Sequence, residues 1–249
     1  MRTLRFVHGL LFAACLHAAI ASAAPASPSV KAHDIQFAPG TSRAEVSGAV
    51  KGYESQDLRL MAAAGQTLQV NLKSRKGALQ FNLISPGSNE AMFIGETAGS
   101  KASLVLPMDG VYTIRTYLMR SAARRNESAP FSLAVSATGA PLPALPGAQD
   151  AKVSGTPFHA TASLRCKPPY GAAVTQCEAG VIRRGHDGTA TVEVRGPNQL
   201  LRQILLVKGR AVASNVALKI DSKREGDTVV VDIDGQERYV LPDAFLSGG

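Results

Sequence analysis

Short runs in which apolar and polar residues alternate constrain this chain more than any other feature. Leu68, Val70 and Leu72 alternate with Thr67, Gln69 and Asn71, and Phe131, Leu133 and Val135 alternate with Ser132, Ala134 and Ser136. A period of two places one set on each side of a strand, so each run reads as half-buried β-structure. Turn pairs stand between the runs: Pro39-Gly40, Gly65-Gln66, Pro86-Gly87 and Asp109-Gly110. About eight such strands in roughly a hundred residues imply a sandwich or a barrel. No segment carries a sustained helical stripe.

The alternation stops at Thr138-Gly139-Ala140-Pro141-Leu142-Pro143-Ala144-Leu145-Pro146-Gly147. Prolines at such spacing favour an extended, semi-rigid spacer with no core of its own. It resumes beyond, in Thr189 to Val194 and in the more apolar run from Leu201 to Val207. Lys208-Gly209 and Asp234-Gly235 sit where hairpin turns belong. The expected organisation is therefore all-β in two parts: an antiparallel β-sandwich over 33–137, a proline-rich linker over 138–155, and a second small all-β domain over 156–249.

Residues 1–23 read as an export leader. Arg2 and Arg5 give a positive start, an apolar stretch runs from Leu10 to Ile20, and Ala21-Ser22-Ala23 offers small residues for cleavage. The apolar stretch is broken by His17 and is shorter than the ~20 residues a membrane span needs, so no transmembrane segment is expected. Phe12-Ala13-Ala14-Cys15 departs from the lipidation pattern three places before the cysteine, where an aliphatic residue is required. The expected location is periplasmic or secreted.

Export changes the meaning of two other features. Cys166 and Cys177, the cysteines left after cleavage, form an even pair in an oxidising compartment and are expected as a disulfide. A loop of that size stabilises its domain by roughly 2–3 kcal/mol through lost chain entropy. A zinc site is excluded, because two cysteines with His159 nearby fall short of four ligands. The formal charge of +8, two of it in the leader, favours acidic partners. Export, and the lack of a base-stacking aromatic set, argue against nucleic acid.

Motifs for catalysis are missing. The chain has no H-E-x-x-H, C-x-x-C, P-loop or dinucleotide-binding glycine pattern. Gly40-Thr41-Ser42-Arg43-Ala44 fails as a nucleophile elbow at its last residue and precedes a strand rather than a helix. His33 and the His186-Asp187-Gly188 turn read as surface loop, and Asp232 and Asp234 as hairpin chemistry. No enzyme, cofactor or metal is expected.

Arg115, Arg120, Arg124 and Arg125 crowd into eleven residues beside Tyr112 and Tyr117. Arg120 to Pro130 reads as a connecting loop, and one helical turn at its start would put Arg120 and Arg124 on one face. A rigid sandwich that presents such a loop is a common binding platform. The adjacent Arg183-Arg184 reads as a hairpin flank.

Several segments in order carry a resemblance. Ile35-Gln36-Phe37, Gly40 to Ala44, Gly48 to Tyr53 and Ala64-Gly65-Gln66 lead; Gly110-Val111-Tyr112, Arg115, Arg120 to Asn126 and the strand from Phe131 close. The first domain resembles the periplasmic inhibitors of goose-type lysozyme. The resemblance implies a compact antiparallel sandwich that plugs the glycosidase cleft. By motif position it places the inhibitory tyrosine and two arginines on Tyr53, Arg120 and Arg124, with Arg115 and Arg125 as further contacts. The partner it implies is a goose-type lysozyme or a related muramidase. The chain departs from the pattern in Glu54 to Leu58, where aromatic residues are usual, and in Phe81 to Gly95. A non-catalytic wall- or glycan-binding module is the alternative. The second domain resembles a small C-terminal domain of exported bacterial proteins, through Cys166…Cys177, Gly180 to Arg184 and Glu237 to Ala244.

Overall fold

The computed structural model describes residues 29–248. The expected leader over 1–23, with Cys15, lies outside them.

Before the proline-rich segment run β1 (Val30–Asp34), β2 (Arg43–Lys51), β3 (Ser55–Ala62), β4 (Thr67–Ser74), β5 (Leu79–Ile84), β6 (Ala91–Ile94), β7 (Lys101–Val105), β8 (Gly110–Leu118) and β9 (Ser128–Thr138). Single-turn helices α1 (Gly95–Ala98) and α2 (Arg120–Arg124) interrupt them. The strands make a five-stranded sheet, β1-β3-β8-β5-β6, and a four-stranded sheet, β2-β9-β4-β7. Alternation decides which side is covered: in β3, Leu58, Leu60 and Ala62 are buried while Arg59 and Met61 are exposed. The inward sets of the two sheets share one core around Phe81, Tyr112, Ile114 and Leu133, which makes the expected sandwich. Tyr112 is wholly buried, and its hydroxyl donates to the Met108 carbonyl at 2.8 Å. Burial pushes that hydroxyl's pKa well above the usual tyrosine value.

After the segment come β10 (Ala160–Lys167), β11 (Thr175–Arg183), β12 (Ala190–Arg195), β13 (Leu201–Val207), β14 (Arg210–Ser214), β15 (Ile220–Glu225), β16 (Thr228–Ile233) and β17 (Glu237–Pro242), then α3 (Asp243–Ser247). They form one sheet, β14-β13-β12-β11-β10-β17-β16-β15. Its two edges come together, where the Ala211 N–H donates to Ser222 Oγ at 3.0 Å, so the sheet is a nearly closed barrel. Val192, Ile204, Val231 and Leu241 fill it, and α3 sets Phe245 and Leu246 against the same core. Cys166 and Cys177 are bonded and staple β10 to β11. Lys208-Gly209 and Asp234-Gly235 all adopt positive φ, as their hairpin turns require.

One expectation is corrected at the seam between sandwich and barrel. The proline-rich segment is docked, not a free spacer. Leu142 packs with Ala64, Leu205 and Ala213, its N–H donates to the Ala64 carbonyl at 2.9 Å, and Leu145 N–H donates to the Arg183 carbonyl at 2.8 Å. The leucines between the prolines supply apolar surface that the seam buries. Arg183 and Arg184 do flank the β11–β12 hairpin, and both are buried in the seam. Arg183 holds Asp150 at 2.9 Å and donates to the Phe245 carbonyl. The Arg184 side chain is 0% exposed and ties Asp109 of the sandwich (2.8 Å), the Leu142 carbonyl and Thr191 together. Thr191 in turn donates to the Pro107 carbonyl at 2.7 Å. Farther along, Gln203 bonds Ser85 and the Pro86 carbonyl, and Ala217 N–H donates to the Met92 carbonyl.

The sandwich residues in that seam lie in the turns after β3, β5 and β7, except Met92, which is in β6. Because β3 runs from Ser55 towards Ala64, and β8 runs back from Gly110 to Arg120, the turns holding Tyr53 and α2 are at the opposite pole. A nine-residue strand such as β8 puts roughly 27–30 Å between the two poles.

Candidate functional site

Three connections meet at the pole away from the barrel. The β2–β3 turn carries Tyr53, which is 54% exposed. The β8–β9 connection carries α2, whose small residues Ala122 and Ala123 are buried against the sandwich while Arg120, Ser121 and Arg124 face outward. An i, i+4 spacing on this one turn places the two arginines on a common face. The loop expected from Arg120 to Pro130 is shorter than that, since β9 already begins at Ser128.

Backbone contacts fix the tyrosine turn to the arginine turn. Gly52 N–H donates to the Glu127 carbonyl at 2.9 Å, and Gly52 has φ of +56°. A Cβ there would stand 2.7 Å from Asn126 Oδ1, a side-chain end that can turn away, and the positive φ is what favours glycine. The third connection, the β4–β5 turn, is bound in the same way: Met119 N–H donates to the Ala78 carbonyl at 2.9 Å and Ser74 Oγ to the Pro130 carbonyl at 2.9 Å.

The structure thus brings Tyr53, Arg120 and Arg124 to one pole, and among the described residues neither arginine has a carboxylate partner. The other two arginines are committed. Arg115 lies along β8 on the outer face of the five-stranded sheet and grips Asp57, its cross-strand neighbour, through two bonds of 2.7 Å. That hydrogen-bonded pairing raises its pKa further. Arg125 closes α2 and pairs with Glu127 at 2.6 Å. His33 falls on exposed β1 and His186 in a turn; His159 is buried, with its Nδ1 accepting from Arg183 N–H at 2.9 Å. Among the described residues no group of His, Cys, Asp and Glu is arranged to hold a metal, and no helix is long and apolar enough to cross a membrane.

A second feature, which the alternation could not reveal, lies on the outer face of the four-stranded sheet. Strand register aligns Arg43, Ser136, Gln69 and Ser103 in one rung and Glu45, Ala134, Asn71 and Lys101 in the next. Ser136 and Ala134 are short beside Arg43 and Glu45 on one edge and Lys101 on the other, and an open trough of about 790 Å³ lies over these rungs.

No protein-family model matches the chain. The inhibitor of g-type lysozyme of Escherichia coli K12 is 28% identical over 103 residues, which span 40% of this chain and 76% of that protein. PliG of Aeromonas hydrophila, a periplasmic lysozyme inhibitor of g-type lysozyme, is 34% identical over its entire length and 45% of this chain, with a TM-score of 0.43. Over 40–45% of its length the chain is similar to periplasmic inhibitors of g-type lysozyme. Salmonella Typhimurium PliG, at 23% identity, covers 43% of the chain with a TM-score of 0.37. Whole inhibitors of this family therefore match less than half of this one chain.

Proposed function

We propose that the protein is a periplasmic inhibitor of a goose-type lysozyme, and that Tyr53, Arg120 and Arg124 enter the glycosidase cleft. The observation that carries this reading is the joining of the tyrosine turn to α2 at a pole the barrel leaves open. Lysozymes cleave glycan with a carboxylic acid whose raised pKa lets it protonate the leaving oxygen. A guanidinium placed beside that acid favours its ionised form and removes the proton donor. Arginine suits this better than lysine, because its planar fork pairs a carboxylate through two bonds. Tyr53 supplies a rigid aromatic anchor with a polar tip. The protein itself carries out no chemistry in this mechanism.

Mature protein should suppress lysis of bacterial walls by a goose-type lysozyme, and Arg120→Glu with Arg124→Glu should abolish the suppression. Full inhibition by the double variant would reject the mechanism. The trough favours a second reading, binding of wall glycan through its hydroxyl and amide groups. Co-sedimentation with purified peptidoglycan separates the two: a glycan-binding module pellets without lysozyme present, and an inhibitor alone does not.

A further inference from the structure

Positive charge at the open pole extends well past Arg120 and Arg124. Lys51 ends β2, Lys73 ends the exposed face of β4, and Arg75 and Lys76 form the β4–β5 turn; all four are exposed. None of them has a carboxylate partner among the described residues. The acids that could neutralise them are engaged elsewhere: Glu54 with Lys31 at 3.1 Å, Asp57 with Arg115 and Glu127 with Arg125. Glu45 accepts from Ser132 Oγ beside this end, and Glu96 of α1 is the other acid near it among the described residues. Six cations therefore face solvent from three connections that are hydrogen-bonded to one another around α2. Between the β4–β5 turn and the start of β9 lies a groove of about 390 Å³, lined by Lys73, Arg75, Phe131 and Ser132.

We infer that the β4–β5 turn is a third contact element of this pole, and that it meets an acidic rim beside the partner's cleft. The inference rests on the inhibitor reading and adds to it the charge of the partner's surface. Like charges held together on a rigid frame repel, and an acidic surface relieves that repulsion on approach. Such a field acts on the encounter rate and weakens once the Debye length falls below the contact distance.

The test compares association of a goose-type lysozyme with full-length mature protein, with Arg75→Glu/Lys76→Glu, and with Arg43→Glu/Lys101→Glu. The last pair makes the same charge change on the sheet face. Both pairs of positions are exposed, and circular dichroism checks that the fold is retained. The turn variant should associate about tenfold more slowly at low salt, and within about twofold of the parent at 0.5 M salt, where the Debye length is about 4 Å. The sheet-face variant should stay within about threefold throughout. Equal slowing by both variants, or none by the turn variant while the parent still inhibits, overturns the inference and leaves the inhibitor reading standing. A parent protein that neither binds nor inhibits overturns both.

Discussion

The two poles of the sandwich use arginine in opposite ways. At the open pole, Arg120 and Arg124 project from a single helical turn with no carboxylate beside them. At the docked pole and in the adjoining barrel, Arg183, Arg184 and Arg202 are buried and each is paired with a carboxylate. Arg202 is the fullest case: it takes both oxygens of Glu237 at 2.7 Å, and Tyr239 donates to the same carboxylate at 2.6 Å. Desolvated guanidinium groups must be paired to be tolerated, so the docked pole uses its arginines as fasteners. An unpaired, solvated guanidinium costs nothing to keep and is free to pair with an incoming carboxylate. The same side chain holds the molecule together at one end and stays available at the other.

This contrast breaks most readily at Arg202. Replacing Glu237 with Ala leaves a buried guanidinium without its partner and should cost about 3–5 kcal/mol in denaturant unfolding. Arg202→Met with Glu237→Leu should recover much of that loss. Arg184→Ala comes next, at about 2–4 kcal/mol, because Asp109 and the Leu142 carbonyl lose a buried donor. Its separate signature is proteolysis within 139–159, which the intact seam protects. Cys166→Ser with Cys177→Ser should cost about 2–3 kcal/mol and leave lysozyme inhibition unchanged, since the bond lies in the barrel.

Glu193 offers a smaller effect with a definite sign. Burial, outweighing the Gln203 hydrogen bond and nearby Arg195, raises its pKa above the ordinary glutamate value. The folded state then holds the proton more tightly than the unfolded chain. This stabilisation is complete below the ordinary glutamate pKa and is lost as pH rises through the raised one. Glu193→Gln should be more stable than the parent at neutral pH, and the gap in Tm should close as pH falls below about 4. Arg120→Ala with Arg124→Ala should move stability least, by no more than about 0.5 kcal/mol, while removing inhibition. A large stability loss there would erase the contrast.

Much of the fold is legible because burial on a strand follows residue type with a period of two. Leu68 to Leu72 and Phe131 to Val135 declare their inward faces locally, and the hairpins at Lys208-Gly209 and Asp234-Gly235 declare their φ values. The candidate site was legible in part: a short spacing of arginines suggested a common face, and α2 provides it. The seam was not legible. Arg184 becomes a fastener through Asp109, a partner far away in sequence, and nothing adjacent to it distinguishes it from Arg124. β1 escaped for a related reason: all five of its residues are exposed, and its parallel backbone pairing with β3 leaves no alternation to read.

Gly52 has one more consequence. With Asn126 against its bare Cα and its amide bonded to Glu127, it acts as a gauge block between the tyrosine turn and the arginine turn. Their spacing is set by main-chain contact and not by the three long side chains themselves. Substitutions of Tyr53, Arg120 or Arg124 can therefore change the side chains this pole presents while the spacing of the two turns stays the same. Adding a single methyl group at Gly52 would strain the positive-φ backbone between the two turns and leave all three side chains unaltered.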